Sequence, residues 1–318
     1  MDSRNILKFE DVSIGYGDKT VCGDIEFSLD EGETLALVGE SGCGKSTVLK
    51  AILGIKGGKL NVKGGRILLN GKDMSEMNPK DNQDLRGTEI GMIFQDPATS
   101  FNPIRTYRKQ FQEMLKSHDK YDQKKSYEEI DSLFKKVMLQ GTDRILDSCP
   151  YELSGGMNQR VAIAASLLLD PDVLLLDEPT SALDVTTQKN VVEELVRLKE
   201  IRKMTMLLVT HNLGVAAHVA DKMAVMYAGR IVEYGDTRAI LDEPKHPYTK
   251  SLIAAIPVLG EGMPVGIDGQ PPLFGPEMEG CAFYERCPYA KDKCKTEEYH
   301  LKQVGERHFT DCEALING

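Results

Sequence analysis

The chain has 318 residues, 41% hydrophobic and 28% charged, a composition that allows one large or two modest globular domains with a sizeable core. A formal net charge of −10 argues against a general nucleic-acid binder, which carries a basic field to displace phosphate counterions. The opening MDSRNILKFEDV lacks a basic segment followed by an apolar run, so a cytoplasmic protein without a secretory leader is expected, and the apolar runs SLLLD and DVLLLDEP fall far short of the roughly 20 residues of a spanning helix.

In chain order, the N-terminal region and residues 64–72, GGRILLNGK, form strand-and-turn patterns that predict an antiparallel β edge. The apolar run Leu35–Val38 then leads into GESGCGKS, where Gly39, Gly44, Lys45 and Ser46 match the spacing G-x-x-x-x-G-K-[ST], and an apolar-periodic helix follows. Strand, glycine-rich loop and helix in that order make a phosphate cradle. The glycines let successive N–H groups turn inward, and the helix N-terminus adds a partial positive charge. Ser41, Gly42 and Thr47 complete the cradle, Lys45 reaches the β- and γ-phosphates, and Ser46 holds Mg²⁺.

Further along, the signs of charge alternate through KSHDKYDQKKSYEEIDSLFKK, which predicts a solvated helical face. In YELSGGMNQRVAIAASLL, the segment Ser154, Gly155 and Gly156 opens a helix, and its hydroxyl and N–H donors make an anion-binding cap. Val173–Leu176 reads as a buried strand that ends in two acids, Asp177 and Glu178. Strand ends of an open parallel sheet face the ligand crevice, so Asp177 can bind Mg²⁺ through water while Glu178 orients or deprotonates an attacking water. The run KMAVMYAGRIVEYG is strand-like, and residues 257–280 are rich in Pro and Gly.

Taken together, these motifs resemble the ABC ATPase family. Leu153–Met157 match its LSGGQ-like signature except at the last position, and further landmarks follow in order: Tyr16, Gln95 in IFQDP, Asp184 in SALD and His211 in LLVTHN. The resemblance implies an α/β fold, a P-loop RecA-like core with an antiparallel β subdomain and an inserted helical subdomain over about residues 97–160. It implies that Tyr16 stacks on adenine, that Gln95 senses Mg²⁺ and the lytic water, that His211 hydrogen-bonds the γ-phosphate, and that Asp184 communicates across a dimer. Glu178, His211 and Gln95 are then the catalytic set, and Ser46, Gln95 and Asp177 the Mg²⁺ ligands. Ser154, Gly155 and Gly156 serve the ATP held by a partner chain, so that two nucleotides are sandwiched.

Two segments narrow the resemblance. FQDPATSFNPIRT at 94–106 is similar to the QDPxxSLNP segment of the dipeptide, oligopeptide and nickel importers, with Phe101 in place of Leu, and KHPYTKSLIAAIP at 245–257 is similar to their HPYTxxLLxAIP. This implies an ATP hydrolase that energises import of peptides, nickel or metal chelates. Its implied partners are a second, related ATPase, two membrane permease subunits and an external substrate-binding protein, with the chain peripheral at the cytoplasmic face of the membrane. Residues 95–103 are the expected permease contact, 1–255 the nucleotide-binding domain and 256–318 a C-terminal Cys-containing extension. The competing class is a soluble ABC ATPase acting on ribosomes or nucleic acid; one phosphate loop, one signature and the acidic charge weigh against it.

Cys281, Cys287, Cys294 and Cys312 cluster in the tail, while Cys22, Cys43 and Cys149 are scattered. In a cytoplasmic protein stable disulfides are disfavoured. The spacing is not that of paired C-x2-C zinc knuckles, and four thiolates suit either Zn²⁺ or a [4Fe–4S] cluster. CAFYERCPYAKDKC resembles the cysteine tail of many peptide-importer ATPases, which implies the cluster; Zn²⁺, with His300 and His308 nearby, is the runner-up.

Overall fold

The computed structural model describes residues 4–55, 60–75, 77, 79–96, 100–181, 184–256, 266–272, 279–296 and 300–312. The chain divides into two compact units, Met1–Met77 with Leu207–Gly318, and Asn78–Met206.

The first unit contains an antiparallel sheet in the order Lys19–Asp30, Asn5–Tyr16, Leu60–Leu69, Lys72–Asp73. In Asn5–Tyr16, Leu7 and Phe9 are buried and the intervening Lys8 is exposed, as period-2 patterning requires. A bulge between Phe9 and Val12, with Asp11 at φ 52°, returns Val12 and Ile14 to the buried face. Phe9 sits opposite both Phe27 and Ile67, and the Phe9 and Phe27 rings stack with centroids 4.4 Å apart.

The same unit carries a second sheet in the order Lys302–Gly305, His308–Thr310, Arg230–Asp236, Lys222–Tyr227, Thr34–Val38, Thr205–Thr210. Thr34–Val38 is buried throughout and pairs in parallel with Lys222–Tyr227, so the phosphate loop leaves the carboxyl end of an interior strand. Within the tail, the Lys302–Gly305 and His308–Thr310 hairpin adds to this sheet, with Glu233 opposite Thr310 and Gly235 opposite His308.

The second unit holds the parallel pair Ile90–Ile93 and Val173–Asp177 and a set of helices. Tyr107–Ser117, Gln123–Lys136, Thr142–Asp147 and Gly155–Ser166 make up the helical region. Asp122 caps Gln123–Lys136 by accepting from the N–H groups of Lys124 and Lys125, and Ile130, Leu133 and Phe134 form its buried stripe. Phe134 meets Phe111 edge-on at 5.8 Å. The alternating charges lie on the solvent side, as the sequence suggests.

Candidate functional site

The phosphate-binding elements sit in the first unit. Gly44, at φ 110°, caps the Lys45–Ile52 helix, and its carbonyl accepts from Thr47 and Val48. A Cβ at Gly44 would lie 2.7 Å from Cys22 Sγ, and one at Gly39 would lie 2.2 Å from the Met226 carbonyl oxygen. Close packing on the strands Lys19–Asp30 and Lys222–Tyr227 therefore requires glycine at Gly44 and Gly39 respectively. Lys45 is buried, and its Nζ donates to the carbonyls of Gly39 at 2.8 Å and Glu40 at 2.9 Å. Ser46 and Thr47 follow in the first turn, while Ser41 and Gly42 are exposed at the loop tip. Tyr16 is half-buried at the end of its strand, and His211 is exposed between Thr205–Thr210 and the Asn212-capped Leu213–Val219 helix.

Glu40, inside the phosphate loop, is bound by residues that lie far away in sequence. Its N–H donates to the Tyr248 hydroxyl at 2.9 Å, and its carboxylate takes a two-pronged contact from Arg286 at 2.8 and 3.1 Å. Tyr248 comes from the HPY segment. His246 Nδ1 accepts from the Tyr248 N–H and caps the helix, Pro247 occupies the first helical turn, and the Tyr248 ring packs at 4.5 Å from Tyr227 and 5.4 Å from Phe283.

In the second unit, Glu178 directly follows the buried strand and adopts φ 46°, a left-handed conformation that costs a side-chain-bearing residue about 1 kcal/mol. Its carbonyl accepts from the Ser181 N–H and hydroxyl. Asp177 ends the strand and Gln95 is exposed just beyond Ile90–Ile93. Ser154 caps the Gly155–Ser166 helix, its hydroxyl accepting from Met157 at 3.3 Å, and Gly155 is exposed beside it. Gly156 approaches Thr187 in the next long helix, whose cap is Asp184. The Thr187 hydroxyl, donating to Asp184 at 2.6 Å, holds that carboxyl below the usual carboxylate range.

Two neighbours of the signature were not anticipated. Asn158 accepts from the Tyr107 hydroxyl at 2.6 Å and donates to the Pro150 carbonyl, and Gln159 donates to the Pro179 carbonyl at 3.1 Å. Both are buried. Phe101, expected in the permease contact, is only 8% exposed and packs edge-on against Tyr107 at 4.9 Å, whereas Ile104 next to it is 81% exposed. Residues 97–99 of that expected contact lie outside the described residues.

In the tail, Cys294 and Cys312 are buried together with Cys281 and Tyr284 packed against them. Burial pushes the Cys281 thiol up to about 12, with Asp311, Cys312 and Cys287 adding to the rise; the Cys287 thiol is raised by burial and by Cys294. Three of the four tail thiols, Cys281, Cys294 and Cys312, thus pack in one cluster. No group of three or more His, Cys, Asp or Glu side chains able to hold a metal ion is found among the described residues. His308, named with the zinc alternative, is committed elsewhere: its Nε2 lies 2.6 Å from the buried Glu233 carboxylate.

A glycine-rich loop that caps a helix behind a parallel strand defines a phosphate-loop nucleotide-binding protein. A family profile described as ABC transporter matches residues 22–181, and one described as the C-terminal region of oligopeptide/dipeptide transporters matches residues 232–294. The dipeptide transport ATP-binding protein DppD of Bacillus subtilis is 43% identical over 270 residues, covering 83% of this chain and 80% of that one. The oligopeptide transport ATP-binding protein OppD of the same organism is 40% identical over 319 residues, covering 96% and 87%. Among solved structures, cbiO1 from Clostridium perfringens, described as part of an ABC transporter complex, superposes with a TM-score of 0.66 at 27% identity over 76% of this chain and 92% of that one. A dimeric ATP-binding cassette in a post-hydrolysis state with ADP and Pi gives 0.63 at 25% identity over 73% and 99%. The chain belongs to the ABC transporter ATP-binding family, in its oligopeptide/dipeptide branch.

Proposed function

We propose that the chain is the ATP-hydrolysing subunit that energises import of peptides through a membrane ABC transporter. The observation that carries this is the intact phosphate loop, with Lys45 buried at the mouth of the Gly44-capped helix, in a chain whose relatives are named for dipeptide and oligopeptide transport. Lys45 and the loop N–H groups bind the β- and γ-phosphates, and Tyr16 takes the adenine ring. Ser46, Gln95 and Asp177 supply the oxygen donors for Mg²⁺, which when bound neutralises charge on the phosphates. Glu178 accepts a proton from the attacking water, and His211 donates to the γ-phosphate. Ser154, Gly155 and Gly156 cap the nucleotide of the second ATPase subunit, and Asp184 carries the state of one site to the other.

In this reading residues 1–255 are the nucleotide-binding domain and 256–318 the extension. The second ATPase, two permeases and an external binding protein complete the transporter, which holds the chain at the cytoplasmic face; among the described residues no helix is long and apolar enough to cross a membrane. Cys281, Cys287, Cys294 and Cys312 would hold a [4Fe–4S] cluster, a reading that rests on the sequence of the tail, since no metal-holding group is found among the described residues. No observation favours action on ribosomes or nucleic acid, and the charge of −10 opposes it. The test is peptide uptake by membranes carrying the assembled transporter: Lys45→Ala should abolish both uptake and ATP hydrolysis, and peptide uptake at the unsubstituted rate with Lys45→Ala overturns the reading.

A further inference from the structure

Arg286 lies in the cysteine-bearing tail, one residue before Cys287, yet its guanidinium is the partner of an acid inside the phosphate loop. All five of its N–H donors are used. Nη1 donates to Glu40 Oε2 at 2.8 Å and to the Tyr227 hydroxyl at 3.3 Å; Nη2 donates to Glu40 Oε1 at 3.1 Å and to the Ile267 carbonyl at 3.3 Å; Nε donates to the Asp268 carbonyl at 2.8 Å. The side chain is 5% exposed and lies against the Tyr227 and Phe283 rings. A lysine has three donors on a point charge and cannot reproduce that fork.

Glu40 is an unusual neighbour for a polyphosphate, because a carboxylate in a cradle for anions repels the ligand. Its carbonyl is also one of the two that hold Lys45, and its N–H is held by Tyr248. Whatever fixes Glu40 fixes the start of the loop on which Lys45 rests. We propose that Arg286 is a positioning residue for ATP binding, through which the tail neutralises Glu40 and holds the phosphate loop in its nucleotide-accepting form. This rests on the reading of Gly39–Thr47 as the ATP phosphate site.

The experiment measures equilibrium binding of a non-hydrolysable ATP analogue with Mg²⁺ to the full chain. Arg286→Ala should weaken binding by about ten-fold, the scale of one charged hydrogen-bond pair. The double variant Glu40→Gln with Arg286→Ala should return to within about two-fold of Glu40→Gln alone, since no carboxylate then needs neutralising. A merely structural anchor predicts otherwise: the contacts to Asp268, Ile267 and Tyr227 are lost in both backgrounds, so removing the Glu40 charge rescues nothing. Unchanged affinity in Arg286→Ala, or equal weakening in the single and double variants, overturns the proposal. Should Arg286→Ala not fold, Arg286→Gln, which removes the charge and keeps a donor, is measured in the same way, and unchanged affinity there overturns it too. Lys45→Ala separates the two levels: if that variant binds as the parent does, the phosphate-loop reading itself fails, whereas loss in Lys45→Ala with no effect at Arg286 removes only this inference.

Discussion

The side-chain amide of Gln159 donates to the Pro179 carbonyl across 3.1 Å, tying the signature helix to the residue that follows Glu178. The amide is buried, so the contact is not in exchange with water. Within this unit the helix capped by Ser154 and the strand end bearing Glu178 are thus one mechanical piece. A shift of the Ser154-capped helix would therefore be felt next to Glu178.

Glu178→Gln should keep MgATP binding and lose at least about 100-fold in turnover, because the amide cannot take the proton of the water. The left-handed backbone at this position accepts the amide as it does the carboxylate. Binding by calorimetry and phosphate release by steady-state assay make the comparison; parental turnover would remove Glu178 from the mechanism.

Substitutions near residue 101 should separate packing from docking. Phe101→Ala removes the edge-on contact with Tyr107 and should destabilise the protein by about 3 kcal/mol, read from urea denaturation. Ile104→Glu changes a side chain already in solvent. It should leave stability and the ATP hydrolysis of the isolated chain unchanged while lowering peptide uptake by the assembled transporter by about ten-fold, as loss of an interface anchor does. Full uptake in Ile104→Glu would place the permease contact elsewhere.

The contrast between these positions shows which features were legible in the sequence. The phosphate loop, the Asp177 and Glu178 strand end and the antiparallel edge are local: spacing of glycines and alternation of apolar residues specify backbone geometry over a few residues. Phe101 stands among prolines that mark a loop, and nothing local announces that it is buried and packs edge-on against Tyr107 of the next helix. Arg286 and Glu40 are 246 positions apart, and a single charge in a Pro- and Gly-punctuated tail carries no period that could announce its partner. The HFT strand of the tail is likewise too short for alternation and is defined by pairing with Arg230–Asp236.

The tail cysteines predict an iron assay. Protein purified without oxygen should be brown and carry about four iron and four sulfide per chain, with broad visible absorption that bleaches on reduction. Cys287→Ser should lose the iron while the Lys302–Gly305 and His308–Thr310 hairpin, paired to the core sheet, keeps the rest of the unit folded. Stoichiometric zinc, or colourless protein with four reactive thiols, would overturn the cluster.

Glu194 should make stability fall as pH rises through neutrality. It is buried in the Val185–Arg202 helix, and Arg160 Nε lies 3.1 Å from Oε1 without hydrogen-bonding geometry. Burial outweighs the attraction of Arg160 and Arg197 and pushes the carboxyl from its ordinary 4.5 up to about 7. Below the lower value both the folded and the unfolded chain hold the proton. Between the two values only the folded chain holds it, so each rise in pH favours unfolding, and the loss is complete once the pH passes the folded value. Glu194→Gln stays neutral throughout and keeps the shape. Its stability relative to the parent should therefore grow by about 2 kcal/mol between pH 5 and pH 8 in urea denaturation, whereas parallel profiles would show that Arg160 compensates the buried charge in full.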